Sequence, residues 1–222
     1  TCNDPYFQMI GRAINRDTTI REEFDRNEHD RKEIRWNTLE HIYKNFLEYK
    51  KSAKLNDFND IINNVLDKVP DFEVVFIDEA QDLSPLQWKL YDKLKEKSKD
   101  IYLAGDDDQA IFAWAGADVK RFVQEEAKEK ILKFSKRISR SVQDESTRPV
   151  ERISGIRKQK DYLPRDFEGE SKYISNLGQL DLLKGKWLIL TRTKSQLLEI
   201  MKELKKKNLY YQSNKGKSYK VG

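Results

Sequence analysis

The hydrophobic positions of the 222-residue chain change period along its length. Residues 1–70 read as helical and strongly charged. Trp36, Leu39, Ile42, Tyr43, Phe46 and Leu47 recur at the i, i+3, i+4, i+7 spacing of one buried helix face. A second helix is predicted from Asn56 to Val69, with Phe58, Ile61, Ile62, Val65 and Leu66 inward and Pro70 ending it. The pattern then shifts to short apolar runs. Residues 73–77 (Glu-Val-Val-Phe-Ile) predict a fully buried parallel strand. Ser84-Pro85 supplies an N-cap and a first-turn proline for a helix to about Ser98. Residues 101–104 predict a second strand ending at Gly105, residues 118–126 a helix and residues 130–134 a third strand. This alternation predicts an α/β fold with a parallel sheet.

Further on, residues 139–157 predict a helix that Pro149 kinks or splits. Residues 158–170 are polar, contain Pro164 and Gly169, and read as a crossing linker. A second α/β unit is expected after it. Residues 186–190 predict a strand, Thr193 with Gln196 a capping box opening a helix to about Lys207, and Tyr210-Tyr211 a further strand. No internal repeat or low-complexity tract interrupts the chain.

Composition narrows the class. Charged residues make up 36% and hydrophobic residues 37% of the chain, and 11% aromatic content argues against disorder. A net charge of +5, from 43 basic and 38 acidic side chains, permits a nucleic-acid partner without demonstrating one. Cys2 is the single cysteine, which excludes an internal disulfide and fits a reducing, cytoplasmic setting. One cysteine and two histidines do not make a structural zinc site. No apolar run approaches the roughly 20 residues of a membrane span, so no membrane partner is expected. The first residue is not Met and the last residues stop in mid-pattern, so both ends read as cuts.

Candidate chemistry sits at two predicted strand ends, where ligands gather in α/β sheets. Asp78-Glu79-Ala80-Gln81-Asp82 directly follows the first strand. One carboxylate there can hold Mg2+, which favours oxygen ligands, and its neighbour can orient or deprotonate water. Most bare Asp-Glu pairs are solvated surface; the abutting apolar strand raises this one above them. Gly105-Asp106-Asp107-Asp108-Gln109 follows the second strand and leads through Phe112 and Trp114 to Asp118. An amide at a strand end can sense a terminal phosphate, and an aromatic beyond it can stack on an unpaired base. On pattern alone Phe112 reads as a core aromatic, while Trp114 stays open between core and base stacking. Arg152, Arg157, Lys158 and Lys160 read as a solvated basic face rather than a phosphate track.

These segments resemble the UvrD/Rep-type superfamily 1 DNA helicases. Residues 78–82 look like motif II (the Walker B element) and residues 105–118 like motif III. Ser135 to Val142 looks like motif IV, whose usual form is Ser-Tyr-Arg with a later proline; here Lys136 and Ser139 depart from it, while Arg137 stays in register. Leu55 to Asp60 resembles the helix start that precedes motif II, and residues 188–193 and 210–218 resemble the entry of a second motor domain. The likeness covers most of residues 35–220.

The resemblance implies a RecA-like P-loop NTPase sheet. Residues 1–68 would be a helical insertion (1B-like), 69–157 the C-terminal part of the first motor domain, and 158–222 a linker with the start of a second RecA-like domain. Asp78 would hold Mg2+, Glu79 would be the general base, and Gln81 would couple to motif III. Gln109 and Arg137 would reach the γ-phosphate of ATP, and Trp114, with Phe112 beside it, would stack on single-stranded or partly duplex DNA. Family polarity is usually 3′ to 5′. The phosphate loop Gly-x-x-x-x-Gly-Lys-Ser/Thr is missing: Gly216-Lys217-Ser218 is a decoy, because Tyr211 stands where the first glycine belongs. The chain therefore reads as an internal helicase fragment, inactive alone. The alternatives are a non-catalytic DNA-binding or interaction module derived from a helicase, a helicase–nuclease fusion and an RNA-directed relative.

Overall fold

The computed structural model describes residues 4–27, 33–153, 155, 157–212 and 218–219. These fall into two compact units, one up to Phe167 and one from Glu168 onward. The break lies inside the polar stretch read as a linker.

The first unit begins with three helices, α1 (Pro5–Asn15), α2 (Ile20–Arg26) and α3 (Trp36–Ser52). Asp4 caps α1 through the N–H groups of Tyr6 and Phe7, and Thr19 and Glu22 close a capping box on α2. Met9, Ile10 and Ala13 of α1, Ile20 and Phe24 of α2, Ile34 and Leu39 form one buried core. Trp36, Ile42, Tyr43 and Phe46 pack around it, so most of the face predicted on α3 is inward. Leu47 is the exception and lies exposed.

Helix α4 (Phe58–Val65) starts at a capping box of Asp57 and Asp60 and runs into a 3₁₀ turn, Leu66–Lys68. It packs on the next helix, but only part of its predicted face is covered. Ile62, Val65 and Leu66 are half-buried, whereas Phe58 and Ile61 are exposed. An eight-residue helix at the surface buries only the narrow stripe that faces its neighbours.

Strand β1 (Phe72–Ile77), helix α5 (Pro85–Glu96) and strand β2 (Ser98–Leu103) form a βαβ unit. The strands pair in parallel, Val75 opposite Ile101 and Ile77 opposite Leu103. Ser84 caps α5 in a box with Gln87, and Pro85 occupies the first turn, as the sequence predicts. Leu86, Trp88 and Tyr91 are buried beneath α5. The strands are not fully buried. Val75, Ile77, Ile101 and Leu103 are half-buried, while Phe72, Val74, Phe76 and Tyr102 are exposed, an alternation set by the two-residue side-chain period. Among the described residues this sheet has two strands, so one face stays open. There Phe76 and Tyr102 stack across the strands with ring centroids 5.0 Å apart.

Helix α6 (Val119–Gln124) is capped by Asp118. Residues 130–134 form no strand: Phe134 makes one parallel bridge with Leu163, and Leu132 and Phe134 lie exposed. A strand is defined by its ladder, and one bridge does not extend into one. Helix α7 (Arg140–Glu151) continues two residues past Pro149 and is not split there. Proline near a helix end disturbs only the final turn.

The second unit contains α8 (Lys194–Lys206), opened by the predicted capping box of Thr193 and Gln196, and a short antiparallel pair, β3 (Tyr211–Gln212) with β4 (Ser218–Tyr219). The strand predicted at 186–190 is irregular: Trp187, Leu188 and Leu190 are exposed, with no pairing segment beside them among the described residues. Gly216 and Lys217 of the decoy loop lie outside the described residues. Among the described residues no helix is long and apolar enough to cross a membrane.

Candidate active site at the ends of β1 and β2

The parallel ladder runs one step beyond the strands and joins the two loops that follow them. Ala104 N–H donates to Ile77 O (2.8 Å) and Ala80 N–H to Ala104 O (2.9 Å). Between these bonds the chain turns sharply. Glu79 adopts φ +52°, a left-handed conformation uncommon for a residue with a side chain. The turn leaves Asp78 and Glu79 exposed beyond the sheet and places Ala80 and Gln81 in the interior. Asp78 Oδ1 accepts the Glu79 N–H at 2.9 Å.

Gln81, 1% exposed, joins the two predicted motifs. Its Nε2 donates to Glu79 Oε2 (2.8 Å), and its Oε1 accepts the Asp106 N–H (3.0 Å). Gly105 makes room for this bridge: a Cβ there would lie 2.6 Å from Gln81 Oε1 and 2.8 Å from Phe122 Cζ. Asp82 sits behind the bridge with a buried Oδ1 that has no hydrogen-bond partner among the described residues. Burial first, and the neighbouring Glu79 charge second, push its carboxyl above the usual range.

Asp106 is the node of the second loop. Its carboxylate accepts from Gln109 Nε2 (2.7 Å), from Asp108 N–H (3.2 Å) and from Lys160 Nζ (2.9 Å). Burial alone would raise its carboxyl, but the bonds from Gln109 and Lys160 outweigh burial and hold it below the usual 3.8. Gln109 is thus fixed by Asp106 while remaining exposed.

Phe112 and Trp114 are both open to solvent, at 43% and 69% exposure, with ring centroids 6.4 Å apart. Phe112 is therefore not the core aromatic its pattern suggests. The aromatics flank a 3₁₀ turn, Ala113–Ala115, that ends at Gly116 with φ +104°. Helix α1 braces this turn: Asn15 Nδ2 donates to Ala115 O (3.1 Å) and Arg16 to Ala113 O (3.4 Å). Arg16 is in turn anchored on the fully buried Glu23, at 2.7 and 2.9 Å, which also takes Arg12 at 3.1 Å.

Arg137 stands on the loop before α7, exposed, its backbone N–H donating to Ser135 Oγ at 3.2 Å. No hydrogen bond or ion pair among the described residues joins it to Asp78, Glu79 or Gln109. Sequence reasoning missed Asn15, Arg16 and Glu23, because the bonds by which Asn15 and Arg16 hold the Trp114 turn join residues about a hundred positions apart. It also misjudged Arg157 and Lys160 as a solvated face. Arg157 grips Asp108 with two bonds (2.5 and 3.1 Å), and Lys160, 9% exposed, sits among Asp106, Asp107 and Asp108. The signal was available: three consecutive aspartates at a strand end need cations to fold tightly.

The site can present a carboxylate pair, a coupled amide and an exposed aromatic pair on adjoining loops. Comparison with known proteins agrees with its motifs. A family model described as the UvrD/REP helicase N-terminal domain matches residues 7–130. The ATP-dependent DNA helicase PcrA of Staphylococcus epidermidis is 30% identical over 93 residues, which are 37% of this chain and 13% of that protein. The ATP-dependent DNA helicase Rep of Buchnera aphidicola subsp. Baizongia pistaciae is 34% identical over 94 residues, 36% of this chain and 14% of that protein. The matched stretch is thus about one-seventh of each relative's length. With the family model spanning more than half of its residues, the chain belongs to the UvrD/REP helicase N-terminal domain family.

Proposed function

We propose that this chain supplies the hydrolysis and base-stacking segments of an ATP-dependent DNA helicase that moves on single-stranded DNA, in the 3′ to 5′ direction. The observation that carries the reading is the Gln81 bridge, which hydrogen-bonds the Glu79 carboxylate on one side and the backbone of the Gln109-bearing loop on the other. In this reading Glu79 is the general base that takes a proton from the attacking water. Gln109 contacts the γ-phosphate, and Gln81 transmits its position to Glu79. Asp78 fits a Mg2+ ligand, because it is an exposed hard-oxygen donor at a strand end with only Oδ1 engaged by the adjacent N–H. When bound, Mg2+ would neutralise phosphate charge. Arg137 completes the phosphate contacts, and Trp114 with Phe112 offers π-faces to unpaired bases. The sheet is read as the C-terminal part of a RecA-like motor domain, residues 1–68 as a helical insertion in it, and residues 158–222 as the linker and start of a second.

The test is Glu79→Gln in the intact protein that carries this chain. DNA-stimulated ATP turnover should disappear while binding of a fluorescent ATP analogue is kept; retained turnover removes Glu79 from the role of base. The 222-residue chain, which contains no Gly-x-x-x-x-Gly-Lys-Ser/Thr, should show no DNA-stimulated hydrolysis by itself.

A further inference from the structure

Residues 157–163 cross from one predicted phosphate-facing loop to the other. At one end Arg157 holds Asp108 and Lys158 N–H donates to Asp107 Oδ2 (2.8 Å). Lys160 contacts all three aspartates, at 2.9 Å to Asp106 and 3.3 Å to Asp108, with Asp107 closer still. At the other end Leu163 N–H donates to Lys133 O (2.7 Å) and Ser135 N–H to Leu163 O (2.9 Å), two residues before Arg137. The segment is a tie between the loop of Gln109 and the loop of Arg137.

The electrostatics make Lys160 its critical member. Asp107 and Asp108 are 4% and 5% exposed at the side chain, so water does little to screen three adjacent carboxylates. The same burial that would lower the Lys160 ammonium is outweighed by Asp107 and Asp106, and its proton is held more tightly than usual. Without this cation the turn must open to separate its charges. Asp106 would move with it, and Asp106 anchors both Gln109, through its carboxylate, and Gln81, through its N–H.

We propose that Lys160, supported by Arg157, is a positioning residue that holds the Asp106–Asp108 turn and thereby sets Gln109 and Gln81 for the reaction. The inference rests on the helicase reading for the word reaction, but the positioning itself is independent of it.

The experiment compares Lys160→Met and Lys160→Arg by amide hydrogen exchange in the 222-residue chain and by ATP turnover in the intact protein. In Lys160→Met the amides of Asp106, Asp108 and Gln109 should exchange about tenfold faster, while those of Trp88 and Leu103 keep their protection. Lys160→Arg, which retains the charge, should restore wild-type exchange. In the intact protein Lys160→Met should lower kcat about tenfold with the ATP KM changed less than about twofold. Wild-type exchange at residues 106–109, or acceleration shared equally by Trp88 and Leu103, overturns the positioning role. Lys160→Gln, which is shorter and polar but uncharged, is read in the same way if Lys160→Met does not fold. If exchange responds as expected but the wild-type intact protein hydrolyses no ATP in the presence of DNA, the helicase reading fails and the positioning role stands.

Discussion

Replacing Gly105 with alanine should destabilise the fold, although glycine-to-alanine changes usually do the reverse. Gly105 does not have a positive φ, so alanine meets no backbone strain there and the cost is steric. The new methyl would lie 2.6 Å from Gln81 Oε1, well inside contact distance, and 2.8 Å from the Phe122 ring. Phe122 can yield, but Gln81 is 1% exposed and has no solvent to swing into. Forcing the methyl in costs about 1–3 kcal/mol as overpacking. Losing the Asp106 N–H bond to Gln81 leaves a part-buried amide unsatisfied, about 1–3 kcal/mol more. The two together come to about 2–6 kcal/mol, against about 0.4–1 kcal/mol gained by restricting the unfolded chain. Urea denaturation of the 222-residue chain measures the sum. Gly11→Ala is the paired control: Gly11 lies inside α1 with nothing within 4 Å of a Cβ, so alanine should stabilise by about 0.5–1 kcal/mol. If Gly105→Ala proves as stable as wild type, the Gln81 bridge is not held as described and the coupling built on it falls.

Glu23→Ala should cost about 3–5 kcal/mol in the same denaturation assay, because it strips Arg12 and Arg16 of a fully buried counter-charge; a loss below about 1 kcal/mol would show that the arginines find other partners. Trp114→Ala should leave stability within about 0.5 kcal/mol, since the ring is largely exposed, while weakening single-stranded DNA binding by the intact protein by about 1–3 kcal/mol. The opposite result, lost stability with unchanged DNA affinity, would return Trp114 to a packing role. Asp106, whose folded carboxyl lies below 3.8, binds protons less readily folded than unfolded, so stability falls as pH drops from just above 3.8 through its lowered value. Asp106→Asn should therefore flatten that acid limb in a stability-versus-pH series, and an unaltered acid limb would remove Asp106 from the network.

The local signals in this chain were strong and the long-range ones weak. The N-cap at Ser84, the capping box at Thr193 and the helix end before Pro70 depend on residues within a few positions, and each was legible from sequence. The segments at 78–82 and 105–118 were legible for the same reason: acidic and amide residues directly after short apolar runs declare their strand ends. Strands failed where no partner joined them. Residues 130–134 and 186–190 have the composition of strands, but composition supplies no ladder. Helix α4 shows the same limit, since periodicity named an apolar face without saying how much of it a neighbour would cover.

Local sequence pattern carried the parallel βαβ unit, the starts of α5 and α8 and the two loops that bear Asp78, Glu79, Gln81, Gln109 and Trp114. How those loops are held depends on contacts that arise only on folding. Asn15 and Arg16 brace the Trp114 turn from about a hundred residues away, and Lys160 neutralises an aspartate cluster some fifty residues upstream. Coulomb attraction and hydrogen bonding depend on distance in space and not on separation along the chain. A basic residue that reads as solvated in sequence therefore acquires its partner, and its role, only when folding buries it against opposite charge.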